Sequence, residues 1–319
     1  MEKFNIYCNK ELTLSIYTDS SKVINKIKTE PTSIMKTIPA TISWMGAVED
    51  IEENENVLVY LNRANKKVEI DEEQNVSYLE LPEQNLFFPD LVYLAIGMIA
   101  NYFQKEQKYF VQSSVVKNKD GHAIMFLGDP NAGKTTLASK LVLYDGWSLI
   151  SNDNVLIGLD KEKLVTFTGT KSVQMRYGAM KLYFPELLKE IPKPKDLESR
   201  DEWDIKIYVD NLFQQKGVTF DDEAIISDIY LINTVKNGDL FLREREAIDR
   251  LLLIYEHLTK QIRSNRYALI SFDYPMPSFE KKEYMQDRYY MSKVIADNVN
   301  IYEAKGDIEK IVKVLRRKS

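Results

Sequence analysis

The residues most suggestive of chemistry lie in a glycine-rich segment from Gly128 to Thr135, which reads Gly-Asp-Pro-Asn-Ala-Gly-Lys-Thr. It fits the pattern G-x-x-x-x-G-K-[ST] at every fixed position. An apolar predicted strand that ends at Leu127 precedes it, and a predicted helix from about Lys134 to Tyr144 follows it. Because the pattern itself does not require these flanks, their agreement with it predicts a phosphate-binding loop.

Each residue type in this loop has a chemical reason to be there. The two glycines allow backbone angles that bulkier residues resist, successive N–H groups can face phosphate oxygens, and the helix start adds its positive dipole end. Lys134 can reach the β- and γ-phosphates, and the hydroxyl of Thr135 can ligate Mg²⁺, with Thr136 as a less favoured substitute. The pattern predicts a nucleotide site that consists of Gly128, Asp129, Asn131, Ala132, Gly133, Lys134, Thr135 and Thr136.

A candidate acid, Asp153, follows the next predicted strand, WSLIS, nineteen residues after Lys134. If that strand lies beside the loop strand, the carboxylate falls near the γ-phosphate. There it would hold Mg²⁺ through water or accept a proton from an attacking hydroxyl. Because N-D-N is also a good turn sequence, the alternative interpretation is an aspartate that only shapes a turn.

Phosphoryl transfer needs positive charge around the γ-phosphate beyond Lys134. Arg176, which opens a helical pattern, is the best second cation, and its alternative is a solvated helix arginine. Lys171 is a weaker choice. Asp273, at the end of the predicted strand ALISFD, is a rival metal ligand far down the chain.

Several classes of nucleotide-binding protein are disfavoured by missing motifs. The sequence has no guanine-specific N-K-x-D motif and no D-x-x-G motif after the loop, and both absences argue against a GTPase. It also has no LSGGQ-like helix start, and this absence argues against a transport ATPase. These absences leave other users of such a loop open, an ATPase coupled to motion among them.

Composition is that of a globular protein, with 44% hydrophobic and 29% charged residues in 319 and a net charge of -5. No basic patch predicts nucleic-acid binding. The single cysteine, Cys8, lies in an alternating run and is interpreted as a packed thiol in a reducing compartment. The N-terminus lacks a signal-peptide pattern, and the most apolar segment, 91–103, is shorter than the ~20 residues of a membrane span. We therefore expect a cytoplasmic protein with no membrane segment.

The order of predicted elements divides the chain softly in two. Residues 1–88 are β-rich, with an alternating run at the start and a predicted hairpin in NVLVYLNRANKKVEIDEE. Residues 89–319 are α/β, and they open with a buried helix. A hairpin formed by KYFVQSSVV and HAIMFLG then leads into the loop. We predict an N-terminal accessory or recognition region (1–88) and a catalytic domain (89–319).

The segment 111–157 resembles the catalytic core of the HPr kinase/phosphorylase family in the order and spacing of its hairpin, glycine-rich loop, helix and Asp-ending strand. The resemblance implies an α/β P-loop fold of the HPr-kinase-like (phosphoenolpyruvate-carboxykinase-like) type with a mixed sheet. It also implies an ATP- and Mg²⁺-dependent kinase, commonly of serine, in a homo-oligomer. Asp153 matches the second residue of the family's Asp-Asp pair, whereas Asn152 stands at the first. Gln112 replaces the family histidine.

The resulting hypothesis is a kinase with Asp153, Lys134 and Arg176 as catalytic residues and with Thr135 and Asp153 at the metal. A peptide or protein serine is the favoured acceptor, because the charged segment 192–204 and the additional N-terminal region suit a large substrate. A small hydroxylated molecule is the other acceptor class. The alternative from a different class is a regulatory protein that binds ATP and transfers nothing.

Overall fold

The computed structural model describes residues 1–52, 56–263 and 268–318. The strands of this part of the chain are β1 (Glu2–Cys8), β2 (Glu11–Thr18), β3 (Ala40–Ala47), β4 (Val57–Leu61), β5 (Lys67–Asp71), β6 (Val76–Glu80), β7 (Tyr109–Gln112), β8 (Ser114–Lys117), β9 (Ala123–Leu127), β10 (Ser148–Ser151), β11 (Asn154–Asp160), β12 (Lys163–Gly169), β13 (Gln174–Arg176), β14 (Lys206–Tyr208), β15 (Ala224–Thr234), β16 (Phe241–Glu244), β17 (Ala268–Leu269), β18 (Tyr274–Pro275) and β19 (Asn300–Gly306). The helices are α1 (Ser21–Thr29), α2 (Thr32–Met35), α3 (Pro89–Gln104), α4 (Lys134–Tyr144), α5 (Tyr177–Tyr183), α6 (Asp210–Gln215), α7 (Ala247–Arg263), α8 (Met285–Asn298) and α9 (Ile308–Lys318).

The chain forms two compact units that do not follow a single cut in the sequence. The first comprises Met1–Val111, Leu156–Leu159 and Leu251–Val294, and the second comprises Gln112–Val155, Asp160–Arg250 and Ile295–Ser319. The cut thus differs from the one expected at residue 88, because α3 and the segment after 250 belong to the first unit. A functional division into a recognition region and a catalytic region stays a prediction.

The first unit contains a six-stranded sheet in the order β3-β1-β2-β4-β6-β5, which confirms a β-rich N-terminal region. The predicted β4–β5 hairpin is wrong. β4 lies parallel to both β2 and β6, and β5 instead pairs antiparallel with β6. The reason is burial: four of the five β4 residues are buried, which suits a central strand, whereas β5 alternates as an edge strand does.

Two further predictions about the first unit are confirmed. Helix α3 is buried over most of its surface, as its apolar sequence predicts. Cys8 is a buried thiol that donates to the carbonyl of Pro39 at 3.2 Å, and burial raises the pKa of that thiol. It is therefore a packed side chain.

Among the described residues, none of the helices has both the length and the apolar character needed to cross a bilayer.

The second unit is built on a mixed sheet, as expected. Strands β10, β8, β9 and β15 follow one another in that order, and β19 pairs with β15 and with β16. β9, β15 and β19 run parallel, and β8 is antiparallel to both β9 and β10. Side chains of this sheet and of helices α4, α5, α6 and α9 form one core cluster. The sheet therefore supports α4 directly behind the glycine-rich segment.

Candidate functional site

The glycine-rich loop, defined here as residues 128–135, joins β9 to α4 as the sequence predicts. Helix α4 begins at Lys134, and Gly133 is its N-cap at φ 97°. Gly128 also has a positive φ, of 143°. The α-carbon of Gly128 lies close to β15, because a Cβ at this position would be 2.6 Å from the carbonyl oxygen of Ile232. Both fixed glycines of the motif are thus required by the local geometry.

Gly133 lies equally close to the end of β15. A Cβ at this position would lie 2.5 Å from the methyl carbon and from the hydroxyl oxygen of Thr234. The N–H of Thr234 donates to the carbonyl of Ala132 at 3.0 Å. The loop is therefore held from one side by β15.

We predict that Gly133→Ala lowers the free energy of unfolding by about 3 kcal/mol, because the new methyl adds a clash to an unfavourable φ. Gly121→Ala is the matched control: Gly121 has φ 88°, and a Cβ there meets nothing within 4 Å. It should cost only the backbone term, about 1 kcal/mol. Urea unfolding of the three proteins measures the difference, and equal costs for both variants would contradict the predicted clash.

The ammonium of Lys134 is buried at the start of α4. Its Nζ donates to the carbonyls of Gly128 and Asp129 at 2.9 and 3.0 Å. The Leu137 N–H bonds to Gly133 O, and a helix leaves its first N–H groups, including those of Thr135 and Thr136, without intrahelical acceptors. An ammonium, hydroxyl groups and helix N–H groups form a donor set that fits an anionic group such as a polyphosphate.

Arg176, at the end of β13, reaches the glycine-rich loop as expected of a second cation. Its Nε and one terminal nitrogen donate to Oδ1 of Asn131 at 3.0 and 2.9 Å. Its other terminal nitrogen bonds the carbonyl of Trp203 and lies 3.8 Å from a carboxylate oxygen of Asp204. The guanidinium is therefore held between the loop and the segment 192–204, and its role as a second cation stays a prediction.

The charged segment 192–204 is tied to α5 at its C-terminal end. Gly178 N–H donates to the carbonyl of Glu202 at 2.9 Å. The ring of Trp203 packs on Gly178, where a Cβ would lie 2.8 Å from it. A cavity of about 470 Å³ lies beside this segment, and it is lined by Tyr177, Lys181, Leu188, Leu197, Arg200, Asp201 and Glu202.

Asp153 lies in a turn between β10 and β11, which we call the acid turn (residues 151–154). The condition that β10 lies beside the loop strand is not met, because β8 separates β10 from β9. β8 is antiparallel to both, so β9 and β10 run parallel and their C-terminal ends share one edge of the sheet. With strands about 4.8 Å apart, the two ends are separated by about 10 Å.

Three hydrogen bonds hold the acid turn against β8 and close it on itself. The backbone N–H of Ser113 donates to the carbonyl of Asp153 at 2.7 Å. The hydroxyl of Ser114 donates to the carbonyl of Asn152 at 2.7 Å, and that of Ser151 to the carbonyl of Asn154 at 2.8 Å. The turn aspartate is therefore presented by a fixed backbone.

The carboxylate of Asp153 is half-buried and accepts two amide hydrogen bonds. Gln112 Nε2 donates to Oδ1 and Asn154 Nδ2 donates to Oδ2, both at 3.3 Å. Asn152 is buried beside it, and its amide donates to the carbonyl of Ser172 at 3.3 Å. Gln112 thus contacts the acid directly, while the Asn152 side chain forms part of the packing of the turn.

Thr170, which follows β12, is a residue that the sequence interpretation missed. It is fully buried, and its Oγ1 accepts the N–H groups of Asp153 and Asn154 at 2.8 and 3.0 Å. No local signal identifies it, since seventeen residues separate it from Asp153. Its contacts make it a positioning residue for the acid turn.

We predict that Thr170→Val costs about 2 kcal/mol of stability, because two buried N–H groups lose their acceptor. Displacement of Asp153 should also lower about tenfold any phosphoryl-transfer activity that depends on its carboxylate. Thr166→Val is the matched control, because the buried Thr166 hydroxyl donates to Asp222 O and accepts Ala224 N–H, away from the acid turn. Urea unfolding and transfer rates should show similar destabilisation with activity lost only in the first variant. Equal activity loss in both would contradict a positioning role.

The two rival candidates are engaged elsewhere. Lys171 donates to the carbonyl of Ile150 at 2.7 Å and pairs with Asp222 at 3.1 Å. Burial lowers the pKa of Lys171, and the neighbouring Asp222 carboxylate opposes that change. Asp273 pairs with Lys66 at 2.7 Å in the first unit. It follows a short 3-10 turn rather than the predicted strand, which is reduced to the two residues of β17.

Metal-ligand chemistry is sparse in the described part of the chain, where no group of three or more His, Cys, Asp or Glu side chains could hold a metal ion. Mg²⁺ commonly takes one or two protein oxygens and completes its shell with substrate phosphates and water. Thr135 and Asp153 supply oxygens of that kind. Their metal role stays a prediction.

Comparisons with known proteins give a distant likeness only. No family model matches the sequence, and no curated protein matches it. Among solved structures, the fold is similar to the Hpr(Ser) kinase/phosphatase from Coxiella burnetii at 12% identity and a TM-score of 0.29. The likeness covers 66% of this chain and 95% of that chain. It is a distant structural relationship, and we draw no function from it.

Proposed function

We propose that this chain is an ATP- and Mg²⁺-dependent kinase of the HPr-kinase-like group that transfers the γ-phosphate to a hydroxyl. Serine in a peptide or protein is the favoured acceptor, and a small hydroxylated molecule is the second acceptor class. The proposal includes a cytoplasmic location and a homo-oligomeric assembly. Neither nucleic acid nor a membrane has a part in it.

One observation carries the proposal: the glycine-rich loop and the acid turn lie at the same edge of one sheet, about two strand spacings apart. In this proposal the loop and the start of α4 bind the β- and γ-phosphates. Lys134 leaves the carbonyls of Gly128 and Asp129 and turns to the phosphates. Asp153 accepts the proton of the attacking hydroxyl, and Gln112 orients its carboxylate.

The bound metal would neutralise charge on the phosphates, with Thr135 and Asp153 as the protein groups nearest to it in this scheme. Arg176 would add positive charge at the loop, where it already holds Asn131. Its bond to the Trp203 carbonyl holds the guanidinium from the other side. Apart from Lys134, which must turn to the phosphates, each residue then acts from a position that the fold fixes beforehand.

Both acceptor classes belong in the test. The open groove beside α5 has a volume of about 470 Å³, and its lining includes Tyr177, the sequence neighbour of Arg176. Its lining contains apolar groups, such as Leu188 and Leu197, and charged groups, such as Lys181 and Arg200. That combination suits a peptide side chain as well as a small hydroxylated molecule.

The experiment is incubation with γ-labelled ATP and Mg²⁺, first with a serine-containing peptide library and then with a panel of hydroxylated small molecules. Label should pass to an acceptor from one of the two sets. Asp153→Asn should abolish that transfer without removing nucleotide binding. Nucleotide binding with no transfer, unchanged by Asp153→Asn, would overturn the kinase proposal.

A second candidate is a regulatory protein that binds ATP and transfers nothing. It is favoured by Asn152, whose buried amide bonds Ser172 where the kinase family has an acid. Asn152→Asp separates the two candidates. Transfer activity that appears only in this variant would support a regulator that has lost a catalytic acid, whereas transfer by the wild type would exclude it.

A further inference from the structure

We infer that the segment 235–240, which follows β15, contacts the nucleobase of the bound nucleotide through the side chains of Val235 and Leu240. This inference rests on the proposed function, since it assumes that the glycine-rich loop binds the phosphates. It adds a substrate feature that no sequence motif marks.

The position of the segment is the first reason. It begins where Thr234 touches the glycine-rich loop, through the 3.0 Å bond from its N–H to the carbonyl of Ala132 and through its side chain on Gly133. Val235, the first residue after β15, is therefore the first to extend past the loop. A nucleotide seated on the loop has this segment as a direct neighbour.

The direction of the nucleotide is the second reason. The acid turn lies on the β10 side of β9, and β15 and β19 lie on the other side. If the γ-phosphate faces Asp153, the sugar and base extend away from it, toward the ends of β15 and β19. The segment 235–240 lies at that end, because Val235 N–H donates to the carbonyl of Gly306, the last residue of β19, at 2.9 Å.

The segment is also pre-organised. Gly238 N–H donates to the carbonyl of Val235 at 3.0 Å, and Asn237 N–H donates to Oδ2 of Asp307 at 2.9 Å. Lys310 pairs with Asp239 at 2.9 Å. A surface that is ordered in advance loses less conformational entropy when a ligand binds.

Its apolar side chains are nevertheless exposed. Val235 is 53% exposed and Leu240 37%, and both flank Gly306. Sites for small molecules are mostly apolar with a few placed polar groups. An apolar surface that continues directly from a phosphate-binding loop fits the flat face of a base, and this continuity favours a base over a second copy of the chain as its occupant.

The test compares the binding of ATP with that of inorganic tripolyphosphate, both with Mg²⁺, by isothermal titration calorimetry. Val235→Ser should raise the Kd for ATP about tenfold and leave the Kd for tripolyphosphate within about twofold. Ile225→Ser is the matched control, because Ile225 is a 48% exposed β-branched residue at the opposite end of the same strand. It should change neither affinity.

Three results overturn the base contact while leaving the kinase proposal intact. They are equal wild-type affinity for the two ligands, equal weakening of both by Val235→Ser, and a change of oligomeric state in that variant with ATP affinity unchanged, which would assign the surface to a second copy. Wild-type protein that binds neither ligand overturns the proposed function itself. Photo-crosslinking of the wild type with 8-azido-ATP should label 235–240, and labelling confined to other segments would also overturn the contact.

Discussion

Replacing Lys134 with alanine is expected to lower kcat/KM for phosphoryl transfer by about 10³-fold. The ammonium is buried at the start of α4, within hydrogen-bonding distance of two loop carbonyls, so it lies where the β- and γ-phosphates would bind. Fixed positive charge in a site that excludes water stabilises the charge that develops on the transferred group far more than charge in bulk water does. Arginine at this position should not restore activity, because its planar fork cannot replace a compact point charge in a packed loop.

The measurement is steady-state kinetics with the acceptor that the labelling experiment identifies, together with ATP affinity by calorimetry. Lys163→Ala, at an exposed position on β12, is the control for loss of one positive charge and should leave both quantities unchanged. Circular dichroism should show that Lys134→Ala keeps its secondary structure. Full activity in a folded Lys134→Ala protein would contradict a role for the glycine-rich loop in the reaction.

The parts of the second unit that could be predicted from sequence are those set by neighbouring residues. A hairpin, the glycine-rich loop and a helix over 134–144 all follow from patterns within about thirty residues. The predicted single strand KYFVQSSVV is wrong, because it is split at Ser113 into β7 and β8, and only β8 pairs with β9. The glycines were informative because the backbone itself requires them: Gly128 and Gly133 have positive φ and close contacts behind them. Such local requirements can be recognised in a single sequence.

The main errors concern which strands pair. Nothing in the apolar run of β4 indicates that its neighbours are β2 and β6, and its alternation with β5 resembles a hairpin. For Asp153 the sequence offered only a condition, a strand adjacent to the loop strand, and β8 lies between the two strands. The direction of the strands, rather than their adjacency, brings their ends together.

The surroundings of the site residues were equally hidden. Arg176 was a candidate only because of its type and its place at a helix start, yet its contacts are with Asn131 and Trp203, 45 and 27 residues away in sequence. Thr170 carried no signal, because a threonine at the end of a strand is ordinary until the fold places its hydroxyl under two N–H groups. Residues that position a catalytic group are therefore harder to identify from sequence than the group itself.

Asp153→Asn is expected to lower kcat by about 10³-fold while KM for ATP changes little, because it removes proton acceptance and keeps the shape of the side chain. The asparagine oxygen can still accept the hydrogen bond that Gln112 donates to Oδ1, so the acid turn should keep its conformation. The bond from Asn154 Nδ2 to Oδ2 is lost, because the new amide nitrogen is itself a donor. The bonds to the turn carbonyls of Asp153, Asn152 and Asn154 do not involve this side chain and still hold the backbone. A fall in kcat with unchanged KM would mean that the carboxylate acts in the transition state rather than in ATP binding.

The control is Asp160→Asn, at the exposed far end of β11, the strand that begins directly after the acid turn. It removes one carboxylate from the same strand and should leave kcat unchanged. A metal role for Asp153 would give a different result, because weaker Mg²⁺ binding can be overcome by a higher Mg²⁺ concentration whereas a missing base cannot. Recovery of Asp153→Asn at high Mg²⁺ would therefore assign the carboxylate to the metal, and full activity at every Mg²⁺ concentration would leave it as a residue that only shapes the turn.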